Sequence, residues 1–128
     1  MDELSHVFEK VSRYFALLAE PMRIRILHAI CQGERTVSKV VEDTGATQTN
    51  VSRHLNAMYR AGVLSRRKQG TSVFYEVADP VMTDLCRSVC THVVGKFDGN
   101  DSLRREFKEV ARDWLNVEST KHRQGAAR

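Results

Sequence analysis

Between Asp43 and Glu76 the chain carries no acidic residue, although 16 of its 128 residues are aspartate or glutamate. Arg53, Arg60, Arg66, Arg67 and Lys68 all fall inside that interval, so one face of the folded chain should be basic instead of mixed in sign. The formal net charge of +4 is mild, and it is this clustering that points to a polyanionic partner. No apolar run approaches the roughly 18 residues of a membrane span, which excludes a spanning helix. The opening "MDELSH" is acidic where a secretory signal would be basic, so a cytoplasmic location is expected. Cysteine is scarce and odd in number, three residues in all, which argues against an extracellular disulfide framework and for thiols reduced at rest. No segment repeats another.

The length suits one domain with a single core, expected over residues 1–118. The tail at 119–128 has no apolar residue larger than alanine and is expected to be disordered. From Leu4 to Ala19, Val7, Phe8, Val11, Tyr14, Phe15 and Leu18 recur at helical steps and form one apolar stripe. Pro21 interrupts it, and "MRIRILHAICQG" follows as a second helix with Ile24, Leu27, Ile30 and Cys31 inward and Gly33 as its stop. Thr36 can cap a short third helix carrying Val37, Val40 and Val41, which ends at "DTGA".

Thr47 can cap a fourth helix whose Val51, Leu55 and Met58 line a buried side. That leaves Gln48, Thr49, Asn50, Ser52, Arg53 and Asn56 outward, with His54 available beside them. Amides pair with adenine edges and guanidinium groups with guanine, so this face suits reading DNA. "VLSRRK" and "SVFYEV" are two strand-like runs joined by "QGT", a hairpin whose first strand is basic through Arg66, Arg67 and Lys68. Asp79 then caps a fifth helix that opens on Pro80, and "FDGND" breaks it. From Ser102 a sixth helix would gather Leu103, Phe107, Val110, Ala111, Trp114 and Leu115 on one side.

The expected class is mainly α with a small β-hairpin wing, a winged helix-turn-helix. "LAEPMRIRILHAI" followed by "TNVSRHLNAMYRAGVLSRRKQGTSVFYEVADP" resembles the ArsR/SmtB family of bacterial transcriptional repressors, over roughly Phe8 to Val94. The resemblance implies a homodimer joined through the first and last helices, bound to a palindromic double-stranded DNA operator and released by an inducer. It makes the helix from Thr47 to Arg60 the recognition helix and Arg66 to Val73 the wing. It implies neither an enzyme nor a membrane partner, and no cofactor needed for folding.

The family's known inducer sites do not carry over. Where relatives have a "CVC"-like segment this chain reads "ERTVSKV". The four metal-ligand positions of the family's last helix read Asp79, Val81, His92 and Gly95, and two donors do not complete the tetrahedral shell zinc takes. Asp79 is better read as a helix cap and His92 as a surface or interface histidine. The persulfide-sensing cysteine positions read His28 and Val94. There remain Cys86 and Cys90, which one helical turn brings to nearly the same face. Converging thiols select soft acceptors such as trivalent arsenic or a soft metal ion, and they also suit reactive sulfur or oxidant chemistry. Against this, Met82, Leu85, Cys86, Val89, Cys90 and Val93 form one stripe in which cysteine can serve as a small hydrophobe. Cys31 sits on the core stripe of its own helix and is expected to pack there, with a place in the inducer site as the weaker alternative.

Other functions fit less well. A regulator with no ligand of its own could act by competing at promoters or through a partner on the sixth helix. A thiol oxidoreductase would want C-x-x-C after a strand, whereas here the spacing is C-x-x-x-C and the helix start lies well before Cys86. A hydrolase nucleophile at Ser52, beside Arg53 and His54, lacks a glycine elbow.

Overall fold

Most of the described helix starts fall where the sequence supplies a capping side chain. The computed structural model describes residues 2–96 and, beyond them, helical backbone at Arg105, Glu106, Lys108, Glu109 and Arg112. The rest of the expected sixth helix with its apolar side, the "FDGND" break and the 119–128 tail lie outside the described residues. The elements run α1 (Glu3–Ala16), α2 (Pro21–Ile30), β1 (Arg35–Thr36), α3 (Val37–Thr44), α4 (Gln48–Arg60), β2 (Leu64–Gln69), β3 (Ser72–Val77) and α5 (Pro80–Val94). Thr36 and Thr47 accept from the backbone N–H groups of Lys39 and Asn50, each at 3.2 Å, and so cap α3 and α4. Asp79 caps α5 by accepting from the Val81 N–H at 3.0 Å. Gly45, at φ 72°, closes α3 in the left-handed region that side chains disfavour.

The hairpin pairs Leu64 with Val77 and Gln69 with Ser72, leaving a two-residue turn at Gly70 and Thr71. A strand that the sequence pattern does not reveal adds to it: β1 pairs Arg35 with Tyr75 and Thr36 with Phe74, making an antiparallel sheet of order β1-β3-β2. Two residues are too few to display any periodicity.

The core gathers Ile26, Leu27 and Ile30 of α2, Val40 of α3, Val51, Leu55 and Met58 of α4, and Met82 and Cys86 of α5. In α2 the inward set differs from expectation, because Ile24 is only partly buried while Ile26 is completely buried. This helix is apolar on most of its circumference, so its neighbours decide which stripe turns inward. Its end also differs. α2 stops at Ile30, with Cys31 still in right-handed geometry, before Gly33 is reached.

α1 buries no residue of its own. Only Tyr14, with Leu17 and Leu18 just past the helix, packs against the core, and Leu4, Val7, Phe8, Val11 and Phe15 stay exposed. α5 divides its stripe. Met82 and Cys86 face the core and Cys90 packs against it, whereas Val81, Val89 and Val93 are exposed. Among the described residues no helix is long and apolar enough to cross a membrane.

Candidate nucleic-acid interface and thiol cluster

The exposed face of α4 is held in order by local bonds. Arg53 donates from Nη2 to Asn50 Oδ1 at 2.8 Å, one turn apart, while the Asn50 N–H is fixed by the Thr47 cap. Gln48, Thr49 and Arg53 are exposed, and Asn50, Ser52 and Asn56 are partly so. These six side chains lie outward as their spacing requires.

His54 does not. Expected beside Arg53 on the DNA-facing side, it is instead 4% exposed and turned into the body. It stands three residues after Val51 and one before Leu55, so helical geometry places it on the apolar side. There its Nδ1 lies 3.4 Å from Glu20 Oε2 and accepts from Arg23 Nε at 3.4 Å. Accepting that bond requires neutral imidazole, and burial, followed by the charges of Arg53 and Arg23, lowers its pKa against the opposing pull of Glu20. A lowered folded-state value has a definite sign. The stability it confers is complete above the ordinary histidine value of about 6.5 and is lost as pH falls from there through the lowered value. Thermal melts between about pH 7.5 and 5 should therefore show Tm falling with acidity, and a His54→Gln variant should show a smaller fall; equal falls would remove His54 as the cause.

The wing is also more tied than its composition suggests. The Arg66 guanidinium lies over the Tyr59 ring at 4.0 Å, joining the end of α4 to β2. Hydrogen bonding to Tyr75 is the main influence holding its pKa above the ordinary arginine value. Arg67 stacks on Phe74 at 4.4 Å and makes two bonds to Glu34, Nε to Oε1 at 2.7 Å and Nη2 to Oε2 at 2.9 Å. Lys68 is exposed on the same strand. Sequence reasoning misses both Glu34 and Tyr59, because neither stands near its partner in the chain.

Cys31, at the end of α2, and Cys86 are both buried in the core, and Cys90 packs against it. Cys31 thus packs where the stripe of its own helix puts it. Burial pushes the Cys86 thiol up to about 12, with Cys90 and then Cys31 adding to the shift. Cys31 donates to the His28 carbonyl oxygen at 3.0 Å. Asp79, the weaker metal candidate, is engaged otherwise: besides its cap it accepts from the Tyr14 hydroxyl at 2.6 Å, tying α1 to α5. His92 is exposed near the other end of α5. Among the described residues no group of three or more His, Cys, Asp or Glu side chains is disposed to hold a metal ion.

The sequence signature of the bacterial regulatory protein arsR family matches residues 20–66. The arsenical resistance operon repressor of Bacillus subtilis is 30% identical over 87 residues, covering 66% of this chain and 83% of that protein. The chain belongs to the arsR family of bacterial regulatory proteins. The probable mercury resistance operon repressor of Streptomyces lividans is 39% identical over 77 residues, covering 60% of this chain and 62% of that repressor's length. A homodimeric winged helix-turn-helix DNA-binding domain from Mycobacterium bovis superposes with a TM-score of 0.68 at 27% identity, covering 78% of this chain and 93% of that domain. This regulator is a winged helix-turn-helix of the ArsR/SmtB type.

Proposed function

We propose that the regulator binds a palindromic operator as a homodimer, represses from it, and leaves it when a thiophilic inducer reaches the cysteines of α5. On the DNA side α4 serves as the recognition helix, with Gln48, Thr49, Asn50, Ser52 and Arg53 toward base edges, and Arg66 and Lys68 of the wing toward phosphates. Dimeric helix-turn-helix proteins set two such helices about one DNA turn apart, so a small change in their spacing weakens both half-sites together. Replacing Arg53 by alanine is expected to cost on the order of 1–3 kcal/mol in operator binding and to relax sequence preference, whereas Lys68→Ala should weaken all duplexes alike. Anisotropy titrations of the regulator against its own upstream region and against random duplex check both. A wild type with no preference for its own promoter at moderate salt would end this reading.

The observation that carries the inducer side is the placement of Cys86 and Cys90 one turn apart on α5, Cys86 within the core and Cys90 packed against it. Soft thiolates select soft acceptors, and the similarity to mercury and arsenical resistance repressors favours mercury(II) or trivalent arsenic among them. Cys86 and Cys90 supply two sulfurs from one helical face, enough for a two-coordinate ion. A route to the DNA face exists. The N–H groups of Ala78 and Asp79 donate to the Val63 carbonyl at 2.9 and 3.3 Å, and Val63 in turn donates to the Met58 carbonyl at 3.0 Å. The start of α5 is thus bonded to the turn between recognition helix and wing, and close-packed interiors pass on the strain of an added group.

A further inference from the structure

We propose that Glu34 is a charge mask for the wing: by holding Arg67 in a two-bond ion pair it keeps that cation off the DNA backbone and sets how strongly the wing grips any duplex. The proposal rests on the DNA-binding reading above and adds to it a residue outside the recognition helix and wing. No acid occurs between Asp43 and Glu76, and the hairpin's own carboxylate, Glu76 near the base of β3, acts on Arg67 only at a distance, so the carboxylate that bonds Arg67 comes from elsewhere. Glu34 brings it. It directly precedes β1, whose pairing of Arg35 with Tyr75 and Thr36 with Phe74 lays this segment along β3, and Phe74 is in turn the partner of Arg67.

The pairing leaves Arg67 little to offer a phosphate. Of its five N–H donors, Nε and one on Nη2 go to Glu34, and one on Nη1 goes to Gln69 Oε1 at 2.8 Å. One face of the guanidinium is covered by the Phe74 ring. A side-on pair with both carboxylate oxygens is the strong form of this interaction, and the bonds from Arg67 hold the Glu34 carboxyl below its ordinary range. Arg66 and Lys68, on either side along β2, have no carboxylate partner among the described residues. The wing therefore presents two unmasked cations where the sequence counts three.

Salt dependence separates a mask from a simple staple. Each cation placed on a phosphate releases condensed counterions, so log affinity falls against log salt with a slope of about 0.9 per contact. Glu34→Gln removes the charge but keeps an acceptor for Arg67, so the wing stays where it is. Binding of the full chain to a fluorescent random-sequence duplex, measured between about 50 and 200 mM salt, should tighten at the low end and steepen by about 0.9 per wing for Glu34→Gln. Arg67→Gln alone should leave the slope at the wild-type value, and the double variant should return to that value. An unchanged slope with weaker binding in Glu34→Gln would make the pair a staple only and overturn the mask. A slope reduced by about 0.9 in Arg67→Gln alone would show Arg67 already on phosphate and overturn it equally. A wild type without salt-dependent duplex affinity would remove the DNA-binding reading, and the mask with it.

Discussion

Val89→Glu is expected to turn the regulator from a dimer into a monomer at micromolar concentration while leaving its fold intact. Val89 is 56% exposed in the single chain and belongs to no part of the core, so the new carboxylate disturbs nothing there. What it disturbs is the exposed apolar surface of α5, which the family resemblance places with that of α1 at the dimer interface. Five apolar side chains of α1 and three of α5 stay exposed, Phe8 at 64% among them, and a chain of this size rarely leaves such a surface bare. A two-fold axis through that face would bring each protomer's patch onto its copy, and the introduced carboxylates would then enter an apolar seam unpaired. Weakening of the dimer by roughly 100-fold or more is expected, a change of about 2.7 kcal/mol, and sedimentation equilibrium reads it directly. Circular dichroism should match wild type. Operator affinity should fall as well, because a monomer holds one half-site. A Val89→Glu protein that sediments as the wild-type dimer would place the interface elsewhere.

The Cys86→Ala, Cys90→Ala double variant is expected to bind operator as wild type does and to ignore the inducer. Alanine is preferred to serine at these sites because Cys86 is only 4% exposed, and a hydroxyl there would be buried without an arranged partner. For wild type, an inducer that weakens operator binding about 100-fold must favour the free arrangement by about 2.7 kcal/mol, which a metal–thiolate bond can supply. The titration is of labelled operator with mercury(II), arsenite, copper(I) and a persulfide donor in turn. If the double variant responds like wild type, the cysteines only fill space. If no agent releases the wild type, a regulator without its own ligand becomes the better account.

Much of this protein is legible in the chain because it depends on neighbours in sequence. Caps at Thr36, Thr47 and Asp79, the left-handed glycine after α3 and the glycine turn of the hairpin are local physics, and each element appears where those signals put it. The outward polar face of α4 follows from the spacing of Val51, Leu55 and Met58, since burying three positions of a helix turns the opposite ones to solvent. The same arithmetic, carried one residue further, would have placed His54 inside.

Tertiary structure decided what neighbours in sequence cannot. Spacing made Cys86, Cys90 and the valines beside them one stripe; packing of α5 into the core chose which of them are buried. Composition made Arg67 a free cation, and a two-residue strand then carried Glu34 to it across 33 residues. Net charge and periodicity are sums over a window, whereas an ion pair or a buried face depends on two windows being brought face to face. That meeting is fixed by how the helices pack and how the sheet is registered, which no single window of sequence contains.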